Sequence, residues 1–441
     1  MKITDTMNIN SEGRLQIGGC DAVTLAHKFG TPLYVLDEER VRAVCRDFYA
    51  VLKDKYPDSL VCYASKALSC KAVYKIVASE GLGADVVSEG ELLTALGAGF
   101  NADTIYFHGN NKSDSELKLA VGSGVHAVVV DSLYEAGRLD AVCAAAGKRM
   151  RVLVRVNPGI DAHTHRFIQT TRVDSKFGFA IADGSALAAI GAILKTDNLD
   201  FTGLHCHIGS QIFELKPFKL AVDKMTDFIK TVATELNAGV SELNLGGGYG
   251  ITYTDEDKPL KPSEYVDAIV EKLIDCIAEK ALTPPRLIFE PGRSVVGEAG
   301  TTLYTVGAVK DIKKVKKYIS VDGGMFENPR YALYEAKYEA MLANRALEKP
   351  VETVTVAGKC CESGDMLVKD AFLPKAEPGD ILAVFSTGAY NYSMAGNYNR
   401  NRIPPMVLVK DGKADYIIRP QTYDELLSRD VCPERLEGDT D

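Results

Sequence analysis

Ala127-Val128-Val129-Val130-Asp131 puts four apolar residues in a row, three of them β-branched, and closes the run with an acid. A strand wetted on one side alternates apolar and polar residues. An unbroken run belongs to a strand covered on both faces, as in a parallel sheet wrapped by helices. Outward from this stretch the pattern recurs at residues 60–64, 84–87, 104–107, 151–156, 201–206, 242–245 and 286–290, which makes eight runs in all. Between them, segments such as 88–98 and 113–121 carry apolar residues at helical spacing, with Ser or an acid near the start. Eight β/α units predict an α/β fold of the closed (β/α)8 TIM type, with its chemistry at the C-terminal strand ends. A doubly wound open sheet is the competing architecture, but it more often has fewer units and a reversal of strand order.

Past about residue 295 the texture changes. Residues 301–309, 317–321, 351–356, 381–385 and 405–409 read as strands parted by Gly, Pro and Asp. Residues 406–409 and 415–418, joined through Lys410-Asp411-Gly412-Lys413, form a hairpin candidate. The expected domains are therefore a barrel over 37–297 and a β-rich sandwich-like or barrel-like domain from 1–36 and 298–441. Leu33-Tyr34-Val35-Leu36 is a further apolar run that suits either domain. The tail from Glu437 to Asp441 is acidic and expected to fray.

The composition narrows the class. Of 441 residues, 46% are hydrophobic and 25% charged, too apolar for a disordered chain. Lysine and arginine total 51 against 60 acids, a net charge of −9, and no basic cluster surrounds aromatic residues. Nucleic acid and anionic membrane surfaces are thereby disfavoured as partners, since both need a positive face. The start, Met1-Lys2-Ile3-Thr4-Asp5-Thr6, lacks the apolar core of a signal peptide, and no window of about 18 apolar residues follows. Ten scattered cysteines without a C-x-x-C spacing suit a reducing compartment, so a soluble, cytoplasmic protein is expected.

The strand ends deliver candidate chemistry in turn: Lys66, Asp85 with Ser88 and Glu89, His108 with Asn110, Asp131, Asn157, His207 with Ser210, the loop Gly246-Gly247-Gly248-Tyr249-Gly250, and Glu290 with Arg293. Lys66 follows an apolar strand, where desolvation would lower its pKa and suit a Schiff base; an ion-paired or snorkelling lysine is the plainer reading. The glycine loop is neither G-x-G-x-x-G nor a Walker A string, so dinucleotide and P-loop readings fail on spacing. Its place after the seventh unit suits a phosphate nest, or else a tight βα turn. In Glu290-Pro291-Gly292-Arg293 the carboxylate could accept a pyridinium proton and the guanidinium could hold an anion, unless the two merely pair. His205 and His207 share one strand face, which raises a metal reading; with no third ligand at a recognisable spacing and no H-E-x-x-H string, no metal is expected. One histidine packing inward and the other at the rim is the simpler expectation. His163-Thr164-His165 carries the same ambiguity. Cys360-Cys361-Glu362-Ser363-Gly364-Asp365 and Gly388-Ala389-Tyr390 are unspecific alone.

Taken in order, these strings resemble the diaminopimelate decarboxylases, of the alanine-racemase-like, fold type III group of pyridoxal-phosphate enzymes. The matching strings are Tyr63-Ala64-Ser65-Lys66-Ala67, His108-Gly109-Asn110-Asn111-Lys112, Arg155-Val156-Asn157-Pro158-Gly159, Ser175-Lys176-Phe177-Gly178, His205-Cys206-His207-Ile208-Gly209-Ser210-Gln211, Gly246-Gly247-Gly248, Glu290-Pro291-Gly292-Arg293, Cys361-Glu362-Ser363 and Gly388-Ala389-Tyr390. The resemblance implies pyridoxal 5'-phosphate as cofactor, decarboxylation of meso-2,6-diaminopimelate to L-lysine, and a homodimer with shared active sites. It implies that Lys66 carries the cofactor, that His207 packs on its ring, and that Ser210, Gly247 and Gly248 hold its phosphate. Asp85 joins the cofactor residues, and Glu290 becomes the partner of the pyridine nitrogen. Arg293, Arg330 and Tyr334 match substrate-carboxylate positions, with Arg293 also on the cofactor. Cys361, a candidate for protonating Cα, and Glu362, for the distal ammonium, match positions supplied across a dimer interface by the β-rich domain. Tyr390 is similar to a tyrosine touching cofactor or substrate.

Decarboxylases of ornithine, arginine and carboxynorspermidine share the lysine, histidine and glycine features; the 109–112 string and the Cys-Glu-Ser spelling favour diaminopimelate. A non-catalytic binding homologue would not need Lys66, Glu290 and Cys361 together. Two departures touch loops only: Arg400-Asn401-Arg402-Ile403-Pro404-Pro405 replaces a Ser-Arg-Pro-Arg-Pro-like run, and Lys359 stands where Pro is more common.

Overall fold

The computed structural model describes residues 4–160 and 175–436. His163, His165 and the segment from 437 onward lie outside the described residues. Eight strands form a closed parallel barrel: Ser59–Ala64, Gly83–Val86, Ile105–Phe107, Ala127–Val130, Met150–Asn157, Leu199–His205, Glu242–Asn244 and Arg286–Phe289. Each pairs with the next in sequence, and the eighth pairs back to the first. The closed sheet agrees with the expected TIM-type barrel, and each strand starts and ends within two residues of an apolar run. The doubly wound alternative fails because Leu287 pairs with Ser59, which leaves the barrel sheet no open edge between its first and last strands.

The local signals explain the alternation of strand and helix. Ser88, Ser113 and Ser132 cap the helices that follow by accepting from Glu91, Glu116 and Glu135 N–H, and Ser113 with Glu116 makes a full capping box. Gly124 and Gly147 end two of these helices in the left-handed conformation. Inward-facing Leu60, Cys62, Tyr106, Ala127, Val129, Leu153 and Ile288 fill the barrel as one buried cluster. At its base Tyr106 OH donates to Glu242 at 2.5 Å, and His126 Nε2 stands 3.2 Å from the same carboxylate, so the polar groups there satisfy one another.

The chain divides into two compact units. The barrel unit takes Glu38–Ala299 and also Gly388–Ser393. The second unit takes Asp5–Asp37, Gly300–Thr387 and Met394–Asp441. Its spine is the thirteen-residue strand Gly300–Ile312, which pairs with Leu33–Asp37 and Ile381–Phe385 along its first part and with Lys316–Val321 along its second. Leu33–Asp37 thus joins the β-rich sheet, where it also lies beside Met406–Lys410. The expected hairpin is present as Met406–Lys410 against Lys413–Ile418, with Asp411 and Gly412 both at positive φ in its turn.

Candidate active site

The glycine loop after the seventh barrel strand is packed backbone against backbone. A Cβ on Gly247 would stand 2.1 Å from the Glu290 carbonyl oxygen, and one on Gly248 2.5 Å from that of Gly209. Gly246 and Gly248 also hold φ of 68° and 110°, which L side chains resist. Gly246 N–H donates to Asn244 Oδ1 at 2.9 Å and Gly247 N–H to His207 Nδ1 at 3.2 Å. Beside the loop, Arg293 Nη2 donates to Ser210 Oγ at 3.0 Å while Nη1 bonds the Tyr253 hydroxyl. The guanidinium lies 4.7 Å from the Tyr390 ring centroid. Arg293 is buried, and its Nε has no hydrogen-bond partner among the described residues. A buried guanidinium N–H in want of an acceptor and a hydroxyl, beside a close-packed loop free of side chains, suit a phosphate.

Deeper in the barrel stands Glu290, just past the eighth strand and 6% exposed. Asn244 Nδ2 donates to its Oε1 at 2.6 Å, and His205 Nε2 donates to Oε2 at 3.0 Å. His108 Nε2 lies 2.7 Å from Oε1 and 3.7 Å from Asp85 Oδ1. Burial alone would raise the Glu290 pKa, but His108 and His205 outweigh it and hold the carboxyl well below its usual range. His205 is wholly buried, which depresses its pKa to about 3, so it meets Glu290 as a neutral donor. Burial pushes the Asp85 carboxyl up against the pull of His108.

Lys66 sits on the turn after the first strand, exposed between buried Ser65 and Ala67. The expectation of a lowered pKa is corrected here. Desolvation pulls the ammonium down, but Tyr390, Asp85 and Glu290 outweigh it and raise the pKa above the ordinary value. Charged neighbours, not the apolar strand before it, set its titration. His205 and His207 separate as the simpler reading expected: His205 is buried on Glu290, while His207 is half-buried and receives the Gly247 N–H. Burial, with Lys66 and Arg155 nearby, keeps the His207 imidazole neutral.

The barrel unit therefore gathers Lys66, Asp85, His207, Ser210, Gly247, Gly248, Glu290, Arg293 and Tyr390. Arg330, Tyr334, Cys361 and Glu362 belong to the second unit. There Arg330 is buried and donates to Tyr338 OH at 2.8 Å, Cys361 and Glu362 are exposed, and Cys361 N–H donates to Asn399 Oδ1 at 2.7 Å. Sequence reasoning gave no role to His108, Asn244 or Tyr253. A polar residue inside the apolar string Glu242-Leu243-Asn244-Leu245 was the available signal for Asn244. Among the described residues, one set of three has metal-ligand spacing, with ligand atoms of His108, His205 and Glu290 within 4.8 Å of one another. A hydrogen bond from His205 and an ion-pair contact with His108 both converge on the carboxylate.

An amine, a buried carboxylate and an anion cradle at the C-terminal strand ends of a TIM-type barrel suit the three functional ends of pyridoxal phosphate, and define a class of pyridoxal-dependent decarboxylases. The family model described as pyridoxal-dependent decarboxylase, pyridoxal binding domain, matches residues 41–297. The diaminopimelate decarboxylase of Halalkalibacterium halodurans is 47% identical to the chain, covering 97% of each sequence, and that of Bacillus subtilis 46%, covering 98% of each. The crystal structure of diaminopimelate decarboxylase from M. jannaschii in complex with L-lysine has a TM-score of 0.91 at 35% identity, covering 98% of this chain and 99% of that one. The chain belongs to the diaminopimelate decarboxylase family, as the strings in its sequence implied. A lysine/ornithine decarboxylase from Vibrio vulnificus, at 23% identity and a TM-score of 0.74, shares the fold.

Proposed function

We propose that the protein is a carboxy-lyase that converts meso-2,6-diaminopimelate to L-lysine and CO2 with pyridoxal 5'-phosphate as cofactor. The observation that carries this reading is the joint presence, on one barrel, of Lys66, the buried Glu290 carboxylate and the glycine-lined cradle with Ser210 and Arg293. Near-full-length identity to diaminopimelate decarboxylases selects the substrate. When bound, pyridoxal phosphate supplies an electron-accepting ring for the pair of electrons left as CO2 departs.

The chain's own groups do the rest. Lys66 Nζ is the amine that would hold the cofactor and, when not so engaged, would carry a proton. Glu290 keeps a proton on the ring nitrogen by staying ionised beside it. The loop 246–248, Ser210 and Arg293 grip the phosphate; we assign Arg293 chiefly to that end because it already bonds Ser210. His207 would pack on the ring, and Tyr390, against the Arg293 guanidinium, would contact the cofactor or substrate. Arg330 and Tyr334 take the carboxylate that is retained, Glu362 the distal ammonium, and Cys361 returns a proton to Cα. Exposure of Cys361 and Glu362 supports a homodimer in which the β-rich domain, 1–36 with 298–441, serves the cofactor-binding barrel, 37–297, of a partner copy. All ten cysteines are unpaired, which supports a cytoplasmic setting, and no helix among the described residues is long and apolar enough to cross a membrane.

The test is a panel of amino acids with CO2 and product detection. Diaminopimelate should yield lysine; turnover confined to ornithine or arginine would refute the substrate assignment.

A further inference from the structure

Glu290 offers four lone-pair positions on two oxygens. On Oε1 one is taken by Asn244 Nδ2 at 2.6 Å, and a second faces His108 Nε2 at 2.7 Å. On Oε2 one is taken by His205 Nε2 at 3.0 Å. His108 Nε2, close to Oε1 without bonding it, stands in the way of a further ligand there, so among the described residues the open acceptor position is on Oε2. The donors are fixed in kind as well as in place. His205 Nδ1 is buried without a partner, and a bare lone pair is cheaper to leave unpaired there than an N–H, so the proton of this neutral ring sits on Nε2. His108 Nε2 stands 2.7 Å from Glu290 and 3.7 Å from Asp85 without the alignment of a hydrogen bond to either. Its ring stacks edge-on against His205 at 4.7 Å between centroids, which steadies both. Further out, Lys112 Nζ bonds Gly109 O at 2.9 Å, Val129 O at 2.7 Å and Glu135 at 2.7 Å, fixing the loop that begins at His108.

We propose that His108, His205 and Asn244 are positioning residues that hold Glu290 ionised and leave Oε2 as the one acceptor for a heterocyclic N–H. This rests on the proposed pyridoxal function and deepens it. The physical point concerns where a shared proton resides. A carboxylate that already accepts two hydrogen bonds, with a third imidazole nitrogen 2.7 Å away, is a weaker base, so a proton between it and a pyridine nitrogen stays on the ring. Without those donors the burial of Glu290 would favour its neutral form, the proton would pass to the carboxyl, and the ring would lose its positive charge.

The experiment compares two ligands on the full chain stripped of cofactor: pyridoxal phosphate, and its 1-deaza analogue with carbon in place of the ring nitrogen. Both share the aldehyde and the phosphate, so the ratio of their dissociation constants reports on the nitrogen contact alone. The wild-type chain should prefer pyridoxal phosphate. His205→Leu and Asn244→Ala should each cut that preference by about tenfold, the loss of one charge-assisted donor, and His108→Leu should lower it by removing the imidazole beside Oε1. His205→Gln, whose amide N–H can reach the same oxygen, should restore it to within about threefold. Should His205→Leu not fold, the His108 and Asn244 variants put the same question to Oε1. Folded variants with an unchanged ratio, or with both affinities falling in parallel, overturn the proposal. A wild-type chain that binds neither ligand overturns the proposed function instead.

Discussion

Replacing Gly247 with alanine tests the anion cradle with a single carbon. The new Cβ would stand 2.1 Å from Glu290 O, whereas ordinary contact begins at 3.4 Å, so 3.4 − 2.1 = 1.3 Å must be recovered by backbone movement. The obstacle is a carbonyl that cannot swing aside, because Glu290 N–H is tied to Gly246 O at 2.7 Å and the Glu290 carboxylate to Asn244 and His205. The loop must retreat, straining its bonds to His207 Nδ1 and Asn244 Oδ1. Overpacking of this kind costs about 1–3 kcal/mol, and two weakened hydrogen bonds add about 1 kcal/mol each. A phosphate displaced by the retreating loop forfeits about 3 kcal/mol, two hydrogen bonds to a charged group at about 1.5 kcal/mol each, or about a hundredfold in Kd. Equilibrium dialysis of pyridoxal phosphate against the stripped protein measures this, with thermal melting to follow the fold. Gly239→Ala, whose Cβ would meet nothing within 4 Å, is the control and should change neither quantity. A Gly247→Ala protein that binds pyridoxal phosphate within about threefold of wild type refutes the cradle.

Lys66→Ala should abolish the covalent visible absorbance of bound pyridoxal and lower turnover by at least about a thousandfold; full activity would end the mechanism. Lys112→Ala leaves Glu135 buried and unpaired, and should destabilise the protein by about 3–5 kcal/mol in urea titration, while Lys112→Met with Glu135→Leu recovers most of that loss. Glu327 is fully buried, and burial raises its pKa to about 8. Its folded value lies above its unfolded one, so its contribution to stability is complete below about pH 4.5 and is lost as pH rises through about 8. Glu327→Gln, which keeps the acceptor for Tyr304 OH, should flatten that decline in a series of urea midpoints against pH. His205 runs the other way. Its folded pKa near 3 lies below the unfolded value of 6.5, so stability falls as pH drops from about 6.5 toward 3, and His205→Gln should soften the fall.

The barrel was legible because its strands are covered on both faces, so several leave near-continuous apolar runs and the rest follow at the same spacing. Ala127-Val128-Val129-Val130 needs no partner to be read. The β-rich unit was less so. Its strand Met366–Leu373 was not foreseen, since Lys369-Asp370 interrupts the run and Asp370 takes a φ of 56° where the pairing with Glu352–Ala357 shifts register. The short strands Met7–Ile9, Leu15–Ile17 and Cys20–Asp21 escaped for want of length. In the site, residues just past the strands announced themselves, while Asn244 is still the last residue of its strand and Tyr253 lies beyond the glycine loop. What these two do depends on Glu290 and Arg293, which lie 46 and 40 residues further on, and no local window carries that. The Lys66 pKa failed for the same reason, because the preceding strand says nothing of Tyr390.

The return of Gly388–Ser393 to the barrel unit orders events during synthesis. Ala67 O, one residue past Lys66, accepts Tyr390 N–H at 2.9 Å and Ser393 Oγ at 3.1 Å. Eight strands exist once Phe289 has left the ribosome, yet both of those donors are translated about 100 residues later. A nascent barrel can close its sheet early with the Lys66 turn still unfastened, and the amine takes its final setting only when nearly the whole polypeptide has been made. A chain cut short before Tyr390 would contain the sequence of all eight barrel strands but lack this clasp on the turn that carries Lys66.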